Sequence, residues 1–262
     1  MILRPYSRNV AFDSASAYGR FMGRFSEPLA PVFADWVGLD GVDRVLDVGC
    51  GPGQLTAELV RRLSADSVAA VDPSPPFVAA ARRLLPDVDI RVAAAESMPF
   101  DDGVFDVALA QLVVHFMADP LRGVREMARV TRPGGVIAAC VWDHAGGRGP
   151  LSPFWAVVRD LDMSATDESR LVGAREKDLH ELFERAGLER VESGTLEVTV
   201  PIASFEDWWE PYTMGVGPAG DHVARLAPHE RSRLQEACRE RMPDGPFELT
   251  SVAWTARGES TD

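Results

Sequence analysis

The sequence predicts an α/β fold, a mostly parallel sheet with helices on both faces. Three observations carry this. Short β-branched runs alternate with helix-spaced apolar residues between residues 44 and 142, the first run ends directly in a glycine cluster, and the second ends in an acid, Asp72. Alternation of that kind is the pattern of β-α-β units, whose strands are buried on both faces.

The elements follow in order. Arg44-Val-Leu-Asp-Val-Gly49 predicts the first strand, and Leu55, Leu59 and Leu63 recur at helical spacing after it. Val68-Ala-Ala-Val-Asp72 predicts the second strand, and Pro75 to Leu85 the next helix. Ile90 to Ala95 and Val104 to Val113 predict strands three and four. Pro120 to Val130 reads as a helix stopped by Arg132-Pro-Gly-Gly135, and Val136 to Trp142 as the fifth strand. After Asp143 the rhythm breaks. Gly146-Gly-Arg-Gly-Pro150 predicts a loop and Ser152 to Met163 a helix. Leu179, Leu182, Phe183 and Ala186 share a helical face, with Gly187 as the C-terminal cap. Leu188 to Val200 alternates like strand around a Ser193-Gly194 turn. Ser204-Phe-Glu-Asp207 predicts a capped helix rich in Trp and Tyr, Gly215 to Gly220 a breaker, Asp221 to Met242 a helix and Phe247 to Ala256 the last strand. Residues 203–245 are thus expected as a helical insertion between the last two strands of one sheet.

Composition narrows the function. The 262 residues are 46% hydrophobic and 26% charged, enough to bury a sizeable core. Lys plus Arg number 27 against 40 Asp plus Glu, a formal charge of −13. Such a balance disfavours phosphate-rich nucleic acid and anionic membrane surfaces as partners. No apolar run reaches spanning length, and the start shows no basic-then-apolar leader. Cys50, Cys140 and Cys238 are scattered without ligand spacing, so neither a disulfide framework nor a metal site is expected. A reduced, cytoplasmic protein is the expectation.

Asp47-Val-Gly-Cys-Gly-Pro-Gly53 sits between a strand and a helix, where glycines let the backbone approach a ligand. Asp72 stands where an acid accepts hydrogen bonds from a ribose diol. Together they imply an adenosine-containing ligand. The glycine spacing departs from G-x-G-x-x-G, and Asp47 would repel a pyrophosphate but suit an ammonium or sulfonium.

Val45-Leu-Asp-Val-Gly-Cys-Gly-Pro-Gly-Gln54, Val71-Asp-Pro-Ser74, Ala95-Glu-Ser-Met-Pro-Phe100 and Pro133-Gly-Gly135, in that order, resemble the class I S-adenosylmethionine-dependent methyltransferases, near the small-molecule ubiquinone/menaquinone-biosynthesis type. The resemblance runs roughly from Tyr18 to Asp143. It implies a Rossmann-like, mostly parallel seven-stranded sheet with a helical cap insertion. It further implies an N-terminal segment, residues 1–43, closing over the cofactor, a cofactor-binding core at 44–143, and a remainder at 144–262 that carries the cap. By the same resemblance Asp47, Gly49 and Gly51 border the methionine part of S-adenosylmethionine, Asp72 with Pro73 holds the ribose, Phe77 packs on the adenine, Ala95 and Glu96 edge it, and Gln111 sits beside the sulfur. Tyr18 and Arg24 are further candidates from the N-terminal segment. Many relatives carry an Asp where this chain has Ala94.

Other candidates divide between chemistry and packing. Asp72-Pro-Ser-Pro-Pro-Phe77 superficially matches a proline-aromatic motif of nucleic-acid methyltransferases, but that motif belongs after strand four. Cys50 reads as a small filler. His115 follows strand four and is the candidate base for a hydroxyl or amine acceptor, with His144 a weaker one. Trp208, Trp209 and Tyr212 either wall an acceptor pocket or pin the insertion to the sheet. The expectation is methyl transfer from S-adenosylmethionine, giving S-adenosylhomocysteine, to a small-molecule acceptor, with no metal. The alternatives are an NAD-dependent oxidoreductase and a noncatalytic S-adenosylmethionine-binding protein. The sequence sets no oligomeric state.

Overall fold

Strands β1 (Val45–Val48), β2 (Val68–Asp72), β3 (Asp89–Val92), β4 (Phe105–Gln111), β5 (Thr131–Trp142), β6 (Glu189–Ile202) and β7 (Phe247–Glu259) form one sheet in the order β3-β2-β1-β4-β5-β7-β6. This is a computed structural model that describes residues 19–163, 165 and 167–261. The pairs among β1 to β5 are parallel, and β7 runs antiparallel to both its neighbours. The protein is a Rossmann-like α/β fold.

Period-two alternation sends the apolar residues of the central strands to two faces, both of them covered. Val45, Ala70, Leu109 and Cys140 face one core, while Leu46, Val71, Ala108 and Ala139 face the other. Helix α1 (Arg24–Val37) covers the first face with Phe25, Leu29 and Phe33, joined there by Leu55 and Leu59 of α2 (Gln54–Arg62) and Val78 and Ala81 of α3 (Pro75–Leu84). Helix α4 (Pro120–Val130) covers the opposite face with Val124, Met127 and Val130. Its start is fixed by Asp119, whose Oδ1 accepts the Arg122 N–H at 3.1 Å, and by Pro120 in the first turn. Helices α5 (Ser152–Asp160) and α6 (Asp178–Ala186) lie on opposite faces, α5 through Phe154 and Val157, α6 through Leu179 and Phe183.

The structure departs from the sequence reading in the second half. Ser193-Gly194 is no turn: β6 runs straight through it, paired with β7 at Ser193↔Ala256 and Gly194↔Thr255. A Cβ on Gly194 would lie 3.1 Å from Nε1 of Trp36, so the glycine serves the close approach of α1. The insertion comprises α7 (Phe205–Trp209), α8 (Gly217–Arg225) and α9 (Pro228–Arg241). The expected single helix from Asp221 is therefore two, divided before Pro228, and the glycine-rich breaker already contains the first turn of α8. The third strand stops at Val92, short of the expected Ala95. Ile202 and Phe247, which bracket the insertion, are register partners across β6 and β7.

Candidate functional site

The carboxyl ends of β1, β2 and β4 lie side by side, and a cleft of about 380 Å³ opens there. In an open α/β sheet this is the crevice where ligands bind. Asp47, Gly49, Gly51, Asp72, Pro73, Phe77, Ala95, Glu96 and Gln111 all line it.

The loop after β1 is anchored from β2. The N–H groups of Gly49 and Cys50 both donate to Val71 O, at 2.7 and 3.0 Å. Gly51 N–H donates to Oδ2 of Asp72 at 2.9 Å, and Ser74 N–H donates to Oδ1 at 2.8 Å. Each carboxylate oxygen thus keeps capacity for a further hydrogen bond. Gly49 has φ +74, and a Cβ there would come within 2.4 Å of Val113 Cγ2. Gly51 has φ +54, but a Cβ on it would meet nothing within 4 Å, so its face is open.

Burial sets the electrostatics. Asp47 is 1% exposed, and its carboxyl is pushed up to about 7 by burial, with the Asp72 charge adding and the Thr56 hydroxyl opposing. Burial also raises Asp72, against the N–H groups of Ser74 and Gly51. Burial pushes the Cys50 thiol up as well, which makes it an inert wall residue. Among the lining residues are three acids, Asp47, Asp72 and Glu96, and no lysine or arginine. Gln111 Nε2 donates to Ser26 O at 2.9 Å, while its Oε1 is buried without a partner among the described residues. That orphaned acceptor and the spare capacity of Asp72 fit a ligand rich in hydroxyl and ammonium donors.

Several expected residues lie elsewhere. Tyr18 is outside the described residues. Arg24 does not line the cleft. Its Nη2 contacts Asp207 Oδ1 at 2.8 Å and its Nη1 donates to Asp207 O at 3.1 Å, tying α1 to α7. His115 is buried beside the cleft rather than lining it. Its ring centroid is 3.9 Å from Phe116 and 5.8 Å from His144. Trp208, Trp209 and Tyr212 are buried, with Tyr212 stacked on Phe154 at 4.5 Å and edge-on to Phe21 at 5.2 Å. They pin the insertion to the first core and are absent from the cleft wall.

Ser26, Leu112, Val113, Phe116 and Met117 line the cleft without having been singled out in the sequence. Leu112 has φ +61, a left-handed conformation that a leucine adopts only when its surroundings impose it. Its N–H donates to Cys140 O at 2.9 Å, which holds the chain end of β4 over the cleft. For the four that follow β4, their place just after Gln111 was the one available signal; Ser26 lies in the N-terminal segment.

A family described as "Methyltransferase domain" matches residues 46–139, which contain the loop, Asp72 and Gln111. Over that stretch, about a third of the chain, the sequence is similar to a methyltransferase domain. An uncharacterised methyltransferase of Mycobacterium tuberculosis is 39% identical over 137 residues, covering 52% of this chain and 54% of that protein. The ubiquinone/menaquinone biosynthesis C-methyltransferase of Geobacter sp. is 34% identical over 108 residues, 38% of this chain and 46% of its own length. This chain therefore spans about half the length of the curated relatives it matches. A phosphoethanolamine N-methyltransferase 2 of Haemonchus contortus has a similar fold, with a TM-score of 0.57 at 16% identity, covering 94% of this chain and 57% of the other. That likeness bears on the fold alone. The methyltransferase domain matched at 46–139 ends inside β5, before α5, α6 and the cap.

Proposed function

We propose that the protein transfers a methyl group from S-adenosylmethionine to a small-molecule acceptor. The observation that carries this reading is the charge of the cleft, three acids without a basic side chain. It repels the pyrophosphate of a dinucleotide and attracts an ammonium and a sulfonium. When bound, S-adenosylmethionine supplies an electrophilic methyl group. Asp72 accepts the ribose hydroxyls, with Pro73 beside it. Asp47, Gly49 and Gly51 border the amino-acid end, where the Asp47 carboxylate faces the ammonium. Phe77 packs on the adenine, edged by Ala95 and Glu96. Gln111 turns its unpartnered Oε1 to the methionine part. From the N-terminal segment, Ser26 of α1 reaches the cleft. His115, the candidate base, is held uncharged at neutral pH, because burial keeps its imidazole well below the usual value.

A small acceptor is supported by the Geobacter relative, which is named a ubiquinone/menaquinone biosynthesis C-methyltransferase. A cytoplasmic setting belongs to the same reading, since all three cysteines are free and buried. No helix among the described residues is long and apolar enough to cross a membrane.

The test is calorimetric titration with S-adenosylmethionine, S-adenosylhomocysteine and NAD. The expected result is binding of both sulfur nucleosides at about micromolar Kd and no heat from NAD. Binding of NAD alone reverses the reading.

A further inference from the structure

The first turn of α1 meets the cleft on one side and the insertion on the other. Arg24 and Ser26 belong to that turn and stand about 200° apart around the helix axis. Ser26 lines the cleft, and its carbonyl oxygen accepts from Nε2 of Gln111 at 2.9 Å. A flipped Gln111 carboxamide would set two acceptors, Oε1 and Ser26 O, against each other, so this one bond directs the side chain. Arg24 points away to α7, with Nη2 2.8 Å from Asp207 Oδ1 and Nη1 donating to Asp207 O at 3.1 Å.

That turn has little to hold it from within the helix. Gly23 stands at its N-cap and supplies no capping side chain. Pro28 and Pro31 lie inside α1 and have no N–H, so the carbonyls of Arg24 and Glu27 lose their ordinary helical donors. Its orientation therefore depends on anchors from outside. Asp207 is a firm one, because its Oδ2 accepts the Ala203 N–H at 3.1 Å and its own N–H donates to Ser204 Oγ at 3.2 Å. The Arg24 and Asp207 side chains are only 24% and 35% exposed. The neighbouring pair of Arg20 and Glu210, at 3.0 Å, is more than half exposed on both sides and adds little.

We propose that Arg24 and Asp207 are positioning residues for the cofactor: through them the insertion sets where Ser26 O holds the Gln111 carboxamide, and with it the grip on the amino-acid end of S-adenosylmethionine. This rests on the methyltransferase reading. The strand that carries Gln111 stays where the sheet puts it, and only the direction of one side chain passes through the pair. A change in the insertion that unseats Asp207 thus loosens the cofactor from outside the cleft.

The experiment compares the affinities of S-adenosylhomocysteine and methylthioadenosine, which keeps the nucleoside and the sulfur but lacks the amino-acid end. Asp207→Asn and Arg24→Gln should each weaken S-adenosylhomocysteine roughly fivefold or more, while methylthioadenosine stays within about twofold of wild type and reports an intact fold. Asp207→Glu, which keeps the carboxylate, should recover most of the loss. With Gln111→Ala already in place, adding Asp207→Asn should change S-adenosylhomocysteine affinity by no more than about twofold, because the two substitutions remove one interaction. An unchanged ratio of the two ligands, an equal loss of both, or a full Asp207→Asn penalty in the Gln111→Ala background overturns the proposal. Wild-type protein that binds neither ligand removes the cofactor reading and this proposal with it, whereas normal wild-type binding with an unchanged ratio in the variants removes the proposal alone.

Discussion

Thr56 Oγ1 donates to Asp47 Oδ2 at 2.6 Å, and both side chains are buried. This one hydroxyl opposes the burial that lifts the Asp47 carboxyl to about 7. At pH 7 the group is close to half protonated, and a cation bound against it expels the proton. Calorimetry of S-adenosylmethionine binding in buffers of different ionisation enthalpy should therefore show release of roughly half a proton at pH 7, approaching one at pH 6 and none at pH 9. Asp47→Asn abolishes the release and weakens binding. Heats independent of buffer at pH 7 in the wild type contradict the assignment of Asp47 to the ammonium.

Two buried groups impose opposite pH slopes on the ligand-free protein. Asp47 binds its proton more tightly folded than unfolded, so its contribution is whole below about pH 4 and is lost as pH rises through 7. His144 is pushed down to about 4 by burial, against the pull of Asp167 and Asp143, so its contribution is whole above about pH 6.5 and is lost as pH falls through 4. Urea unfolding should show Asp47→Asn gaining on the wild type by roughly 2–4 kcal/mol between pH 4 and 8, and His144→Phe losing about 3 kcal/mol less than the wild type between pH 7 and 4. Parallel curves for the wild type and either variant remove the corresponding assignment.

Asp72 holds the glycine loop through Gly51 and turns the chain through Ser74, with one oxygen for each. Asp72→Asn keeps one acceptor and the shape. Its affinity for S-adenosylhomocysteine should fall roughly tenfold or more, about 1.4 kcal/mol, and its melting temperature should drop because one of the two backbone N–H groups loses its acceptor. Unchanged affinity would mean that the ribose lies elsewhere.

The two loop glycines should fail differently. Gly49→Ala drives a Cβ into Val113 at positive φ and should cost about 1–3 kcal/mol of stability, partly restored by Val113→Ala. Gly51→Ala meets no atom, so it pays about 1 kcal/mol for its φ and instead loses cofactor affinity. Differential scanning calorimetry paired with titration separates the two outcomes. A Gly51→Ala protein that binds normally would show that the open face of the loop is not the ligand's.

The readable parts of this chain are those whose cause is local. β2 was expected over Val68 to Asp72 and α4 over Pro120 to Val130, and the structure has the same bounds, because apolar alternation, Pro120 and a capping Asp119 all act within one turn or strand. Gly194 misled, since a strand glycine and a turn glycine look alike until Trp36 arrives from another helix. Arg24 was placed near the cofactor although its partner is Asp207, 183 residues away. Leu112 carries no local mark of its left-handed backbone, which the neighbouring strand imposes through Cys140. The glycine loop and Asp72 were legible as neighbours at one crevice, whereas the wall from Leu112 to Met117 depended on how β4 ends.

The insertion leaves and rejoins the sheet at one rung, Ile202 facing Phe247. Such a stretch is a cassette in a socket. Its ends are already neighbours, so a longer, shorter or foreign segment closes the same gap without shifting the strands that carry Asp47, Asp72 and Gln111. What it must keep is a carboxylate for Arg24 and the aromatic side chains that fill the first core. Inheritance of the cleft and inheritance of the insertion are thereby uncoupled, and selection can rewrite one while leaving the other as it was.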